Sequence, residues 1–281
     1  MKNQIIEKDF GNIMILVPHQ DDEILMCAGI MESAREKGLK VTVVMVTNGD
    51  YGSQNLEIGR TRLKETLEGI KVLGFGEENL VFLGYADTGM PEKDSFLYQL
   101  YQEKEEDREY KSHCSSCTYG LLEKEEFHFI KYGEHGSYTR RNCYQDIKEV
   151  IKEYHPERIF TTSEEDIHGD HKGLFLFVRD ILDQLKGEGY TPTLYSGVVH
   201  SKAGDENWPL RTKSLEALSC PEDFEKTGKL RWDERISFPV PDNSLKEKAL
   251  AKHITALKPD AVEFLYSFLK KDEIFWERKG C

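Results

Sequence analysis

Five consecutive apolar residues, Ile13 to Val17, are followed by Pro18 and then, within five further positions, by His19, Asp21, Asp22 and Glu23. A short, uniformly apolar run reads as a strand covered on both faces. The helical spacing that follows predicts a helix over about 23–37, closed by Gly38. The rhythm continues with a strand at 40–47, a turn at Asn48-Gly49-Asp50, and a helix over 58–73 with Leu63, Leu67, Ile70 and Leu73 on one face. A short strand at 80–83 runs into F-L-G-Y-A-D-T-G-M. From about 91 to 141 the periodicity fails, and it resumes with a helix at 142–154, a strand at 158–162, a helix at 174–185 and a strand at 195–200. The rest reads as loop and edge structure, including the prolines near Trp208 and Phe238, and closes with helices at about 244–257 and 260–269.

Strands alternating with helices imply an α/β fold with a parallel, right-handed, doubly wound sheet. The expectation is one domain over 1–281, with a long insertion before the fourth strand. A connection of that length is usually a lid or binding loop, so residues 91–141 are expected to shape the substrate pocket.

The acidic cluster after the first strand has an ordinary explanation, because carboxylates at a helix start cap it and offset its dipole. A second cluster changes that picture. S-E-E-D-I-H-G-D-H-K-G, Ser163 to Gly173, carries Glu164, Glu165, Asp166, His168, Asp170 and His171, and it too lies between an apolar strand and an apolar helix. In open parallel sheets the strand-to-helix turns share one edge, which is where ligands bind. Two such turns, each with His and Asp, therefore point to one site.

A divalent transition metal takes nitrogen and oxygen ligands, and a catalytic site leaves a position for water. His19 at the strand end and Asp22 in the first helical turn can converge on one ion. Asp21, about 100° away around the helix, is free to meet a water there. His168 and His171 share a helix face, so one can complete the metal shell while the other stands over the substrate. Zinc lowers the pKa of a bound water from about 9 toward about 7, Asp21 would take its proton, and a protonated His168 would stabilise an oxyanion. Asp170 could orient one of the histidines. The constellation suits amide or ester hydrolysis without an acyl-enzyme. Two His and one carboxylate also form the facial triad of non-haem iron oxygenases, a rival reading that the extra Asp21 and His168 disfavour.

P-H-Q-D-D-E-I-L after a buried strand, with H-G-D-H-K-G later, resembles the PIG-L/LmbE family of zinc-dependent N-deacetylases. G-R-T-R-L-K-E and F-L-G-Y-A-D-T-G-M, between them, resemble it too. The resemblance covers roughly 12–100 and 142–199 and implies a Rossmann-like three-layer sandwich with a mostly parallel sheet. It implies that His19, Asp22 and His171 hold one zinc per chain, with Fe2+ as the alternative metal. It further implies Asp21 as general base, His168 as the group stabilising the intermediate, and Arg62 and Asp87 as contacts to an N-acetylglucosamine-type sugar or glycoconjugate. The same chemistry on a non-sugar amide is the alternative. Gln20 and Gly169 stand where the family often has proline; neither position supplies a ligand side chain.

Composition narrows the partners. A net charge of −13 with 32% charged residues repels polyanions, so nucleic acid is not expected. No apolar run of 18 residues exists for a membrane span, and the N-terminal stretch lacks an apolar signal segment. Six cysteines, at 27, 114, 117, 143, 220 and 281, are too scattered for a disulfide scaffold. A cytoplasmic enzyme, able to form a homo-oligomer, is expected. His113-Cys114-x-x-Cys117 offers one C-x-x-C pair, which reads as loop cysteines ahead of a second metal. His200, at a strand end, borders the expected site, whereas His253 reads as structural or surface.

Overall fold

A computed structural model describes residues 2–212, 215–222 and 230–279; Cys281 lies outside them. Its strands are β1 (Lys2–Asn3), β2 (Ile13–Val17), β3 (Val41–Thr47), β4 (Leu80–Tyr85), β5 (Arg158–Thr161), β6 (Thr193–Ser196), β7 (Ile236–Pro239) and β8 (Asp272–Arg278). The helices are α1 (Asp22–Glu36), α2 (Glu57–Val72), α3 (Phe96–Gln102), α4 (Phe127–Tyr132), α5 (Arg140–Tyr154), α6 (Gly169–Gly187), α7 (Lys246–Leu250) and α8 (Val262–Tyr266).

The strands form a single sheet in the order β1-β7-β8-β6-β5-β2-β3-β4. From β2 the chain winds outward through β3 to β4, then returns to lay β5 against the other side of β2. Strand β2 is therefore the point where the winding reverses, and a crevice opens there at the carboxyl ends of the strands. Ile13 pairs with Val41 on one side and Arg158 on the other, so β2 and β5 end level with each other.

Alternation along β2 explains the layers. Ile13, Ile15 and Val17 pack with α1 and α2 on one face, while Met14 and Leu16 pack with α5 and α6 on the other. Both faces are covered, which is why the strand reads as continuously apolar. The expected mostly parallel α/β sandwich is what the chain builds.

Three regions differ from the sequence reading. The strand expected at 195–200 is β6, Thr193–Ser196, so His200 lies past its end in a loop. The C-terminal part supplies β7 and β8, with β8 antiparallel to both β6 and β7. The segment D-E-I-F-W-E-R has charged ends and lacks a clear apolar alternation, so its pairing is set by the neighbours it meets and not by its own pattern. The closing helices are short, residues 246–250 and 262–266, and the chain between them turns through His253 and Pro259. The aperiodic stretch 91–141 contains α3 and α4, and Phe96, Leu97 and Leu100 are buried in the core on the α5/α6 face.

Candidate active site

Pro18 ends β2, and its carbonyl accepts bonds from both the amide and the hydroxyl of Thr47 at 3.0 and 2.8 Å. Gln20 donates its side-chain amide to Thr47 O, so a hydrogen bond ties this turn to β3 where a proline ring would have stiffened it. Asp21 has φ +124°, a region that L residues rarely occupy. Its amide is held by Glu23 Oε2 at 3.0 Å, and its carbonyl starts α1 by accepting from Ile24 and Leu25. Asp22 Oδ2 accepts the amide of His19 at 3.0 Å. Two consecutive carboxylates therefore leave the turn in different directions.

The β5–α6 turn is built around Asp166. Its Oδ1 accepts the His168 amide at 2.9 Å, and its Oδ2 accepts the amides of Val199 and His200 at 2.8 and 3.0 Å and His171 Nδ1 at 3.0 Å. His168 caps α6, its Nδ1 accepting the Asp170 amide. Asp170 faces the other way, taking the Leu97 amide at 2.7 Å and His19 Nε2 at 3.1 Å.

The two turns meet in a triangle. His19 Nδ1 lies 3.2 Å from His171 Nε2 and 3.5 Å from Asp22 Oδ2, and His171 Nε2 lies 3.3 Å from Asp22 Oδ2. Donors each about 2.0–2.1 Å from one tetrahedral ion stand roughly 3.3–3.4 Å apart, so this donor set fits a divalent metal in both chemistry and spacing. Each imidazole also has a carboxylate behind it, Asp170 for His19 and Asp166 for His171, the usual arrangement for orienting a histidine ligand. His168 belongs to the same buried histidine group. Asp166 is the residue sequence reasoning missed. It stood among three neighbouring acids, and only its contacts single it out.

Electrostatics follow from burial and proximity. Burial works against the charged form of His19, but Asp170 and Asp22 outweigh it and push its pKa up to about 10. Burial likewise opposes charge on His171, yet Asp166 and Asp22 raise it. For Asp22, burial is outweighed by His171 and His19, which hold its carboxyl low. Asp21 lacks such partners. Burial and then the Asp22 charge raise it to about 6 against the pull of Arg62. For His168, expected from the sequence as a protonated group, burial, with His19, His171 and His200 around it, pushes the pKa well down, which favours the neutral ring. With Nδ1 accepting from the Asp170 amide, the neutral ring carries its proton on Nε2.

A cavity of about 350 Å3 opens over these groups. His19, Asp21, Asp22, Arg62, Asp87 and His168 line its floor, and His200 with residues 255–265 forms a wall. Asp87 Oδ2 is 3.9 Å from His19 Nε2. Arg62 has its Nη2 2.9 Å from Gln20 O and 3.7 Å from Asp21 Oδ2, and its Nη1 3.3 Å from Gly49 O. Gly49, at φ +59°, has no room for a Cβ between the Gln20 and Arg62 side chains. His200 does border the site, its Nδ1 2.9 Å from Asp205 and its ring stacked on Phe264.

Residues 91–141 do not line this cavity. Phe96, Leu97, Leu100, Phe127 and Tyr138 go into the core instead, and the stretch reaches the site through backbone, as Leu97 does to Asp170. Cys114 donates to Asp50 at 3.0 Å, and neither it nor Cys117 joins a metal-type group among the described residues. His253 is buried, not exposed, with Nε2 3.2 Å from Glu23 Oε1.

The sequence matches the family described as PIG-L, GlcNAc-PI de-N-acetylase, over residues 14–182. The chain belongs to this PIG-L family. No curated protein sequence matches it. Among solved structures, the A40926 pseudoaglycone deacetylase Dbv21 shares 16% identity over 96% of this chain and 97% of its own, with a TM-score of 0.57. The N,N'-diacetylchitobiose deacetylase from Pyrococcus horikoshii shares 15% over 97% of this chain and 85% of its own, at 0.53. A zinc-inhibited form of teicoplanin deacetylase Orf2 shares 12% over 96% and 100%, at 0.55. At such identities the likeness is one of fold. In this PIG-L protein both turns that form the His19, Asp22 and His171 triangle fall inside the family match, whereas the cavity wall at 255–265 lies beyond it. Among the described residues, no helix is long and apolar enough to cross a membrane.

Proposed function

We propose that this PIG-L protein is a metal-dependent N-deacetylase that hydrolyses the acetamide of an N-acetylglucosamine-type sugar or glycoconjugate. The observation that carries the reading is the triangle of His19 Nδ1, Asp22 Oδ2 and His171 Nε2, with sides of 3.2–3.5 Å, beside a cavity floored by Asp21. Those three residues would hold the metal. Zinc, bound there, supplies Lewis acidity and lowers the pKa of water.

The chain's own groups account for the rest. Asp21 accepts a proton from the attacking water and returns it to the leaving amine, so that water and amide give acetate and free amine. His168, with its proton on Nε2, donates to the oxygen that gains charge, a role for a fixed donor in a dry site. Asp170 and Asp166 hold the two imidazoles in orientation. Asp87 and Arg62 lie on the cavity floor, where sugar hydroxyls would meet Asp87 while Arg62 braces the turn that carries Asp21. That the family name and the names of several fold relatives specify deacetylation supports the reaction class.

The test is acetate release from N-acetylglucosamine, N,N'-diacetylchitobiose and a simple N-acetyl amine, with metal content measured alongside. The expected result is about one zinc per chain, acetate released from a sugar, and loss of at least about 100-fold in kcat for Asp21→Asn with metal retained. Acetate from the simple amide alone would move the substrate outside sugars. Absence of metal uptake would overturn the mechanism.

A further inference from the structure

Resting on the deacetylase reading, we propose that Glu23 and His253 form a buried positioning pair that fastens the C-terminal wall of the cavity to the turn carrying Asp21. Glu23 is fully buried and uses its two oxygens on different tasks: Oε2 accepts the amide of Asp21 at 3.0 Å, and Oε1 meets His253 Nε2 at 3.2 Å. The first contact holds a residue at φ +124°, a backbone state that persists only where its surroundings enforce it. The second reaches a segment far along the chain. His253 is 1% exposed, and among the described residues neither ring nitrogen has a geometrically good hydrogen-bond partner. The Glu23 contact at 3.2 Å is thus the polar contact its imidazole makes.

Helix α2 is shaped to receive that segment. A Cβ at Gly69 would stand 2.8 Å from His253 Nε2. A mid-helix glycine is otherwise unfavourable, and here its bare face makes room for the ring. One turn earlier, Glu65 accepts the Thr255 amide at 3.1 Å and its hydroxyl at 2.5 Å. Residues 253–255 are therefore clamped by α1 and α2 together, directly before Thr255, Ala256, Lys258, Phe264 and Leu265 enter the cavity wall. These wall residues line the same cavity as Asp21 and His168, and the part of the substrate beyond the acetamide would lie against them. The pair thus couples two functions, the aim of the general base and the seat of the amine-bearing group.

The test uses the whole, metal-loaded protein and four variants: Glu23→Gln, His253→Gln, the double variant combining these two, and Gly69→Ala, which displaces the ring without altering any group of the site. Hydrogen exchange by mass spectrometry is read first, because it needs no substrate. Each variant is expected to speed exchange of peptides spanning 19–25 and 253–265 together, with 140–154 unchanged. Steady-state acetate release from N,N'-diacetylchitobiose is read next. Glu23→Gln is expected to lower kcat 10-fold or more at unchanged zinc content, His253→Gln to raise KM and lower kcat, and the double variant to be no worse than the more impaired single one. Exchange confined to 253–265 in all variants, or additive kinetic losses, would overturn the coupling. A wild type that releases no acetate from N-acetylglucosamine, N,N'-diacetylchitobiose or the simple N-acetyl amine would overturn the reaction assigned above, while the exchange experiment would still decide whether the pair couples turn and wall.

Discussion

Asp166 Oδ2 stands 3.0 Å from His171 Nδ1 and also accepts the amides of Val199 and His200. A carboxylate so placed only accepts, so a neutral His171 keeps its proton on Nδ1 and presents the lone pair of Nε2 toward Asp22 and His19. Removing it frees the tautomer and the ring orientation. Asp166→Ala is expected to weaken zinc affinity about 10–100-fold, measured by competition titration against a chelator.

Arg62 and Asp87 face one cavity but are held differently. Arg62 is bonded to the carbonyls of Gln20 and Gly49 and lies 3.7 Å from Asp21, so it braces the turn. Asp87 takes the Gly89 amide on Oδ1, which leaves Oδ2 toward the cavity. Arg62→Ala should therefore lower kcat, and Asp87→Asn should mainly raise KM. Steady-state kinetics on a releasing sugar substrate separates the two, and equal effects on both constants in both variants would refute the division.

Lys246 and Glu273 form a buried ion pair at 2.8 Å within the fabric of α1. Lys246 donates to Leu25 O, and Glu273 accepts the amides of Gly29 and Ile30. Taking away one partner strands the other charge in the core. Lys246→Met is expected to cost about 3–5 kcal/mol, and Lys246→Met with Glu273→Leu less than that. Denaturant unfolding monitored by circular dichroism measures both.

A pH-dependent contribution to stability sits at His128, whose Nδ1 lies 2.9 Å from Asp146 Oδ1, with Tyr85 donating to the same carboxylate. Burial opposes the charge on His128, but Asp146 outweighs it and raises the pKa above 6.5. Burial also raises Asp146, more than His128 and Tyr85 lower it. A histidine raised on folding lends stability that is fully present below pH 6.5 and disappears as pH climbs through the folded value. The Asp146 shift acts with the same sign, since the folded state binds its proton more tightly. The gap in Tm between wild type and His128→Asn should thus narrow between pH 6 and pH 9. Parallel curves would contradict it.

What the sequence determined by itself is local. Ile13 to Val17, 40–47 and 158–162 read as buried strands because burial on both faces favours largely apolar runs, and the structure has a strand at each, the last ending at Thr161. The two polar turns follow from where those runs stop. A parallel sheet sends both turns to one edge, so the meeting of His19 and Asp22 with His168, Asp170 and His171 follows from the sequence alone. Only the tertiary structure decided which groups serve those residues. Asp166 could not be told from Glu164 and Glu165, because choosing among adjacent acids depends on which one meets the amides of Val199 and His200. His253 read as an ordinary histidine because its partner, Glu23, is 230 residues earlier in the chain. Strand β8 escaped detection for the same reason: its antiparallel pairing with β6 and β7 comes from the space between them, not from its own alternation. Short-range periodicity records how a segment is buried, whereas the contacts that orient a site join distant segments and leave no period to read.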